Sequence, residues 1–441
     1  MTSEYALSNE YLFKRVKIKT KTGLEIEGTV LPRYALFSNE YLTIKLDNGY
    51  NIGIKKDNIV HIEEVERPPK REVVIYKLDE EAATKSSKTT KIILTGGTIA
   101  SKIDYETGGV TPILTASELL EAIPELREIT DIELESPMSI FSEEMTPHEW
   151  KRIAEIVAKE LLSNPDRGLI IAHGTDTMGY TSAALSFALQ NLPSPVALVG
   201  AQRSSDRPSS DSAFNLLAAA LYATSNIGEV SVVMHGTISD TYALAHRGTR
   251  VRKMHTSRRD AFQSINSLPI AKILPYEKKI VLLRKDIKET KQEGFEAKTN
   301  FSDKVALIKF YPGMSGDVID FLVDKGYRGI VIEGTGLGHV SLRLLNSIKR
   351  AVEQEAIVTM TSQCIFGTIN MNVYSTGRKL LEAGVLPSAD MLPETAFVKL
   401  SWLLGNYNDI DVVKKLYVTN LVGEIEYRRT ISAFPRWYHG E

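Results

Sequence analysis

Five runs dominated by apolar residues recur along the chain: KIIL (91–94), GLIIAHG (168–174), PVALVGA (195–201), VSVVMHG (230–236) and KVALIKF (304–310). A strand with one face in water alternates apolar and polar residues. Continuous runs instead indicate strands covered on both faces. Between them lie segments with helical spacing, TPHEWKRIAEIVAKELL (146–162) and SSDSAFNLLAAALYATS (209–225). The first opens Thr146-Pro147-His148-Glu149, a capping box with proline at the first helical position. Such alternation predicts an α/β domain built on a mainly parallel sheet.

Residues 1–75 have another character. RVKIKTKTG, LEIEGTVL, EYLTIKL and YNIGIKKDNIVHIEEV alternate with period two, with turn signals at KTG (21–23) and DNG (47–49). Four or five short strands there predict a small closed or half-closed β-barrel, read as an accessory module. The polar stretch at 76–90 reads as a linker. Two α/β domains follow, 91–285 and 300–441. The highly charged segment 277–303 reads as the joint between them.

With 441 residues, two or three domains are expected. The 53 basic and 55 acidic residues nearly cancel, so nothing global points to nucleic-acid binding. No 18-residue apolar stretch or leader-like N-terminus is evident, and a soluble, cytoplasmic protein is expected. The single cysteine, Cys364, rules out an internal disulfide framework and cysteine-rich metal sites. It reads as a small buried apolar residue.

In open α/β sheets ligands bind beyond the carboxyl ends of the strands. Three loops there are rich in hydroxyls and carboxylates: TGGTIAS (95–101), AHGTDTM (172–178) and GAQRSSDRPSSDSAFNL (200–216). Singly, each has a bland explanation: Asp176 as a helix cap, Gly96 and Gly97 for positive φ. Three successive strand ends presenting Thr, Ser or Asp exceed what capping needs. No loop fits the Walker or dinucleotide pattern, and EGTGLGH (333–339) is only a weak approach to one. Threonine attacks a carbonyl only when a neighbour takes its proton. With no convincing histidine, lysine is the candidate base, neutralised by burial or held beside a carboxylate and a second hydroxyl. Lys253, in TRVRKMHTSRRDAF (249–262), is one such lysine. A solvated basic face is the plain alternative.

TGGTIAS, HGTDTM, GAQR…SSDSAFNL and VRKMHTS resemble, in order and spacing, the blocks of the bacterial-type L-asparaginase family, over roughly residues 91–405. The resemblance implies a two-domain parallel-sheet core and amide hydrolysis. Thr98 would be the nucleophile, with Thr175, Asp176 and Lys253 as the proton-handling group. It also implies Gly97, Tyr105, Ser142, Glu143 and Gly174 as substrate-binding residues. Glu143 departs from the family, whose bacterial members have glutamine there. An asparaginase-like core behind a small β-module is similar to one branch, the D subunits of archaeal glutamyl-tRNA(Gln) amidotransferases, as is the stretch 361–406.

That likeness implies glutamine as amide donor and ammonia delivered to a separate E subunit, which would hold ATP and Mg and most of the contact with tRNA(Gln). This chain itself would carry no cofactor and no metal. It also implies a homodimer within a two-plus-two heterotetramer, with the unit around EGTGLGH reaching the neighbour's site. Two other readings stay open, a free-standing asparaginase or glutaminase with an accessory module, and a non-catalytic carboxylate-binding scaffold.

Overall fold

The structure is a computed structural model. It describes residues 10–11, 14–30, 40–46, 51–65, 88–96, 101–103, 110–112, 119–120, 123–203 and 210–427. The chain forms two compact units, one of which is built on the N-terminal strands.

In that unit, β1 (Arg15–Thr20), β2 (Glu25–Val30), β3 (Tyr41–Lys45), β4 (Asn51–Lys55) and β5 (Ile59–Glu64) form one antiparallel sheet in the order β4-β3-β2-β1-β5. Period two decides the faces: Val16 and Ile18 are buried, while Lys17 and Lys19 face outward. Ile18 pairs with Ile26 and Ile62. Val16, Ile18, Val30, Leu42, Ile44 and Ile54 make the core. The two edge strands, β4 and β5, are joined by a single 3₁₀ turn, Lys56–Asn58. So short a link holds opposite edges together at one end, and the sheet must curl back on itself. No β4–β5 ladder is formed among the described residues. The KTG turn is present, with Gly23 at φ +80°. DNG (47–49) lies outside the described residues, as does most of the expected linker, whose last residues, Thr89 and Thr90, open a strand.

The second unit holds both α/β layers. β6 (Thr89–Leu94), β7 (Asp131–Glu135), β8 (Gly168–Ala172), β9 (Val196–Val199) and β10 (Val230–His235) lie parallel in the order β7-β6-β8-β9-β10. β11 (Ala243–Arg247), β14 (Ala271–Leu274) and β15 (Lys279–Leu282) extend the sheet antiparallel. A separate hairpin, β12 (Val251–Lys253) with β13 (Phe262–Ser264), sits between them in sequence. The charged segment at 277–303 therefore begins as sheet rather than joint. Its first part is an edge strand, where Lys279 can stay in water while Val281 is buried.

Helix α1 (Pro147–Ser163) starts where the capping box places it, with Thr146 and Glu149 capping one another's backbone. Its buried face, Trp150, Ile153, Ala154, Val157, Ala158 and Leu161, follows the helical period. α2 (Met178–Ala188) and α3 (Ser212–Ala223) are buried nearly all round, as expected of helices with no polar face.

The second layer is a parallel sheet, β16 (Val305–Lys309), β17 (Gly329–Gly334), β18 (Ile357–Ser362) and β19 (Leu386–Pro387). Around it lie α4 (Asp317–Asp324), α5 (Leu345–Glu353), α6 (Ser375–Glu382), α7 (Pro393–Asn406) and α8 (Ile410–Tyr417). α7 packs on α2 through one apolar cluster that includes Phe187, Val331 and Trp402. A buried ion pair, Arg250 to Asp390 at 2.9 Å, joins the two layers and fixes the residue just before β12.

Candidate active site

β6 and β8 pair in register, Leu94 beside Ala172, so their outgoing loops leave the sheet side by side. Thr95 is fully buried, and its N–H (3.0 Å) and hydroxyl (2.9 Å) both donate to the Ala172 carbonyl. Its own carbonyl accepts from the Ile140 N–H. Thr95 is therefore an anchor. Gly96 follows at φ +123°, where an added Cβ would lie 2.0 Å from the Ile140 carbonyl oxygen. Only glycine fits there. Gly97, Thr98 and Tyr105 lie outside the described residues.

On the neighbouring loop the structure brings together residues distant in sequence. Lys253 Nζ donates to Thr175 Oγ1 at 2.9 Å and to Asp176 Oδ1 at 2.7 Å. The lysine side chain is 14% exposed and that of Asp176 69%. Lys253 is therefore not a member of a solvated basic face. Nor does Asp176 cap α2: the residue before that helix is Thr177, and no side chain caps its first turn. Of the two settings expected for the lysine, burial or contact with a carboxylate and a second hydroxyl, the structure shows the second.

At the third strand's loop, the two described ends are tied together. Asp211 is fully buried and accepts from the N–H groups of Gln202 (3.0 Å) and Arg203 (2.9 Å) and from Asn215 Nδ2. Asn215 Nδ2 also donates to the Gly200 carbonyl, and its Oδ1 meets His235 Nδ1 at 2.6 Å. His235 Nε2 in turn faces Asp240 Oδ1 at 2.9 Å. Burial pushes the His235 ring down against the pull of Asp240 and Asp211. Sequence reasoning passed over Asn215 and His235. The signal was there: an asparagine amid SAFNLLAAALYA has no apolar reason to be buried.

Ser142 is buried against the loop that carries Thr175. The Thr177 hydroxyl donates to its carbonyl at 2.6 Å. A Cβ on Gly174 would fall 2.7 Å from Ser142 Cβ and 2.8 Å from its Oγ. Glu143 is exposed, in the 3₁₀ turn Ser142–Glu144. Gly174→Ala is thus expected to push the Ser142 turn aside. Misplacement on this scale costs up to about 10²-fold in kcat/KM, while far-UV circular dichroism stays unchanged. Unaltered steady-state kinetics would show that the close approach is not needed.

Cys364 is exposed, its N–H bound to Ser362 Oγ in the turn after β18. The expectation that it is a buried apolar residue is corrected: the apolar run ends at β18, and Cys364 sits beyond it. Among the described residues no group of three or more His, Cys, Asp and Glu side chains is arranged to hold a metal ion. No helix among them is long and apolar enough to cross a membrane.

Two buried histidines bear on stability. Burial pushes His173 down to about 4 and His246, which is bonded to Ser264 Oγ, down to about 3. An unfolded histidine titrates near about 6.5. Between these values the unfolded chain binds more protons than the folded one, so stability falls as pH drops from about 6.5 towards 4. Each ring contributes up to about 1.4 kcal/mol per pH unit. Urea midpoints measured from pH 7 to 4.5 should fall, and His246→Asn should fall less steeply. An identical slope in the variant would contradict this.

Comparison with known proteins gives three family matches: "Asparaginase, N-terminal" over residues 89–288, "Glutaminase/Asparaginase C-terminal domain" over 304–417, and "GatD N-terminal domain" over 12–65. The glutamyl-tRNA(Gln) amidotransferase D subunit of Pyrococcus furiosus is 56% identical, over 93% of each chain. That of Thermococcus kodakarensis is 54% identical over 96% of each. Among solved structures, the thermostable L-asparaginase from Thermococcus kodakarensis is 32% identical with a TM-score of 0.70, covering 77% of this chain and 99% of the other. L-asparaginase I from Vibrio cholerae is 29% identical with a TM-score of 0.66, covering 77% and 100%.

Proposed function

We infer the function of this chain from one premise: it belongs to the asparaginase family, in the branch of the glutamyl-tRNA(Gln) amidotransferase D subunits. It is the glutaminase subunit of a tRNA-dependent amidotransferase, an amidohydrolase that frees ammonia from glutamine for use in the complex. The observation that carries a catalytic reading is the contact of Lys253 with both Thr175 and Asp176.

In the mechanism we propose, Thr98 Oγ attacks the side-chain amide carbon of glutamine and its proton passes through Thr175 to Lys253. Base assistance of this kind supplies roughly 10²–10⁴-fold. Backbone N–H groups, Gly97 and Gly174 among their bearers, stabilise the oxyanion, each donor contributing about 3 kcal/mol. The C–N bond breaks, the nitrogen takes the proton and leaves as ammonia, and a glutamyl ester remains on Thr98. Water then cleaves the ester, releasing glutamate and restoring the hydroxyl. Asp176 and Glu143 hold the substrate α-ammonium, Ser142 borders it, and Tyr105 is a further substrate-binding residue. A carboxylate at 143, where the bacterial enzymes have an amide, strengthens the grip on a cation.

The partner in this reading is the E subunit, which carries ATP and Mg, binds tRNA(Gln) and converts Glu-tRNA(Gln) to Gln-tRNA(Gln). Two copies of each subunit form the assembly, which is cytoplasmic, and this chain needs no cofactor of its own. The test is to purify the chain with and without its partner and assay each for ammonia and for Gln-tRNA(Gln). Glutamine-dependent transamidation by the complex, with slow hydrolysis by the chain alone, is expected. Full-rate asparagine hydrolysis by the chain alone, with no transamidation, would make it a free-standing asparaginase.

A further inference from the structure

His173 stands directly before the loop that carries Thr175, yet the mechanism above gives it no role. It is 1% exposed. Its Nδ1 lies 2.7 Å from the Gly174 carbonyl oxygen, and its Nε2 lies 2.9 Å from Thr181 Oγ1, on the buried first turns of α2. A carbonyl only accepts, so Nδ1 carries the proton. The hydroxyl of Thr181 then donates to Nε2, and the ring is a neutral imidazole in one fixed tautomer. Burial holds it neutral down to about pH 4.

The Gly174 carbonyl belongs to the peptide that supplies the Thr175 N–H. In a trans peptide these two groups point in opposite directions, and the structure has no cis peptide bonds among the described residues. Holding the carbonyl against the buried ring therefore turns the N–H away from it. The same lock limits rotation of the loop on which Thr175 and Asp176 meet Lys253.

Resting on the glutaminase reading, we propose that His173 is a positioning residue: its Nδ1–H fixes the Gly174–Thr175 peptide so that Thr175 presents its N–H to the developing oxyanion and its hydroxyl to the proton relay. It touches neither substrate nor reacting atoms. Its effect falls on kcat, because the oriented donor matters most when negative charge develops.

The test compares two amides that imitate different ring atoms. In His173→Asn the side-chain nitrogen falls near the position of Nδ1, and in His173→Gln near that of Nε2. Kinetics of ammonia release are measured in the assembled amidotransferase, with thermal unfolding of each variant alongside. His173→Leu is expected to lose about 10- to 10²-fold in kcat with KM little changed, Asn to recover most of it, and Gln to remain low. Thr181→Val, which leaves the loop itself intact and only frees the tautomer, is expected to lose a few-fold in kcat. Equal kcat in the Asn and Gln variants, or recovery by Gln alone, would overturn the proposal. So would a Thr181→Val chain at the wild-type rate if the His173 variants did not fold. A wild-type complex that releases no ammonia from glutamine would instead sink the functional reading on which the proposal rests.

Discussion

Thr98→Val is expected to fold normally and to release ammonia from glutamine at least about 10⁴-fold more slowly than the wild type. Valine keeps the β-branched shape of threonine and removes only the oxygen. The strand before it is anchored by other residues. β6 is paired on both edges, Thr95 is bonded to Ala172, and Gly96 packs on Ile140. A loss of activity would therefore report chemistry rather than collapse. Urea unfolding of wild type and variant should coincide within about 0.5 kcal/mol. Ammonia release at the wild-type rate by the folded variant would remove Thr98 from the mechanism.

The second large effect is expected at Lys253. Leucine there deletes both contacts of Lys253 Nζ, to Thr175 Oγ1 and Asp176 Oδ1. The loss of proton transfer is expected to lower kcat by roughly 10²–10⁴-fold. Stability should suffer little, for a reason visible in the structure. Asp176 is mostly in water, so its charge is not stranded in the interior when the lysine goes. The hairpin that carries position 253 is held by backbone pairing, Lys253 beside Phe262 and Val251 beside Ser264. The same change at buried Lys399, paired with Glu424 at 2.6 Å, would strand a buried charge and cost about 3–5 kcal/mol. Comparing thermal unfolding of Lys253→Leu and Lys399→Leu separates the two kinds of lysine. Similar destabilisation by both would contradict the assignment of Lys253 to chemistry.

What the sequence made legible follows physical range. Helix α1 was readable in full because its signals are local: Thr146, Pro147 and Glu149 mark the start, and the apolar spacing marks the buried face. The parallel strands were readable because burial on both faces leaves a continuous apolar run, as in GLIIA, where every residue is buried. Edge strand β15 was not, since half of it faces water and its charges imitate a joint. The site was legible as motifs, while its geometry was not. Lys253 and Thr175 are 78 positions apart, and only the fold decides which of several basic residues turns inward. Asn215 and His235 were missed because their role is to satisfy polar groups beneath a loop, a need that appears only once strand ends are adjacent. Cys364 was misread because β18 ends at Ser362 and the turn that follows leaves the cysteine exposed.

The mechanism requires the oxygen at position 98 to become covalently acylated, and locating the adduct decides the matter. The assembled protein is treated with a diazo-ketone analogue of glutamine, digested with trypsin and sequenced by fragmentation mass spectrometry. Cleavage after Lys91 and Lys102 releases residues 92–102, which contain Thr95 and Thr98. One modification is expected on this peptide, at Thr98 and not at Thr95, and excess glutamine should prevent it. A glutamine-protected modification at Thr175, or at the exposed Cys364 alone, in a protein that then no longer releases ammonia, would contradict the mechanism.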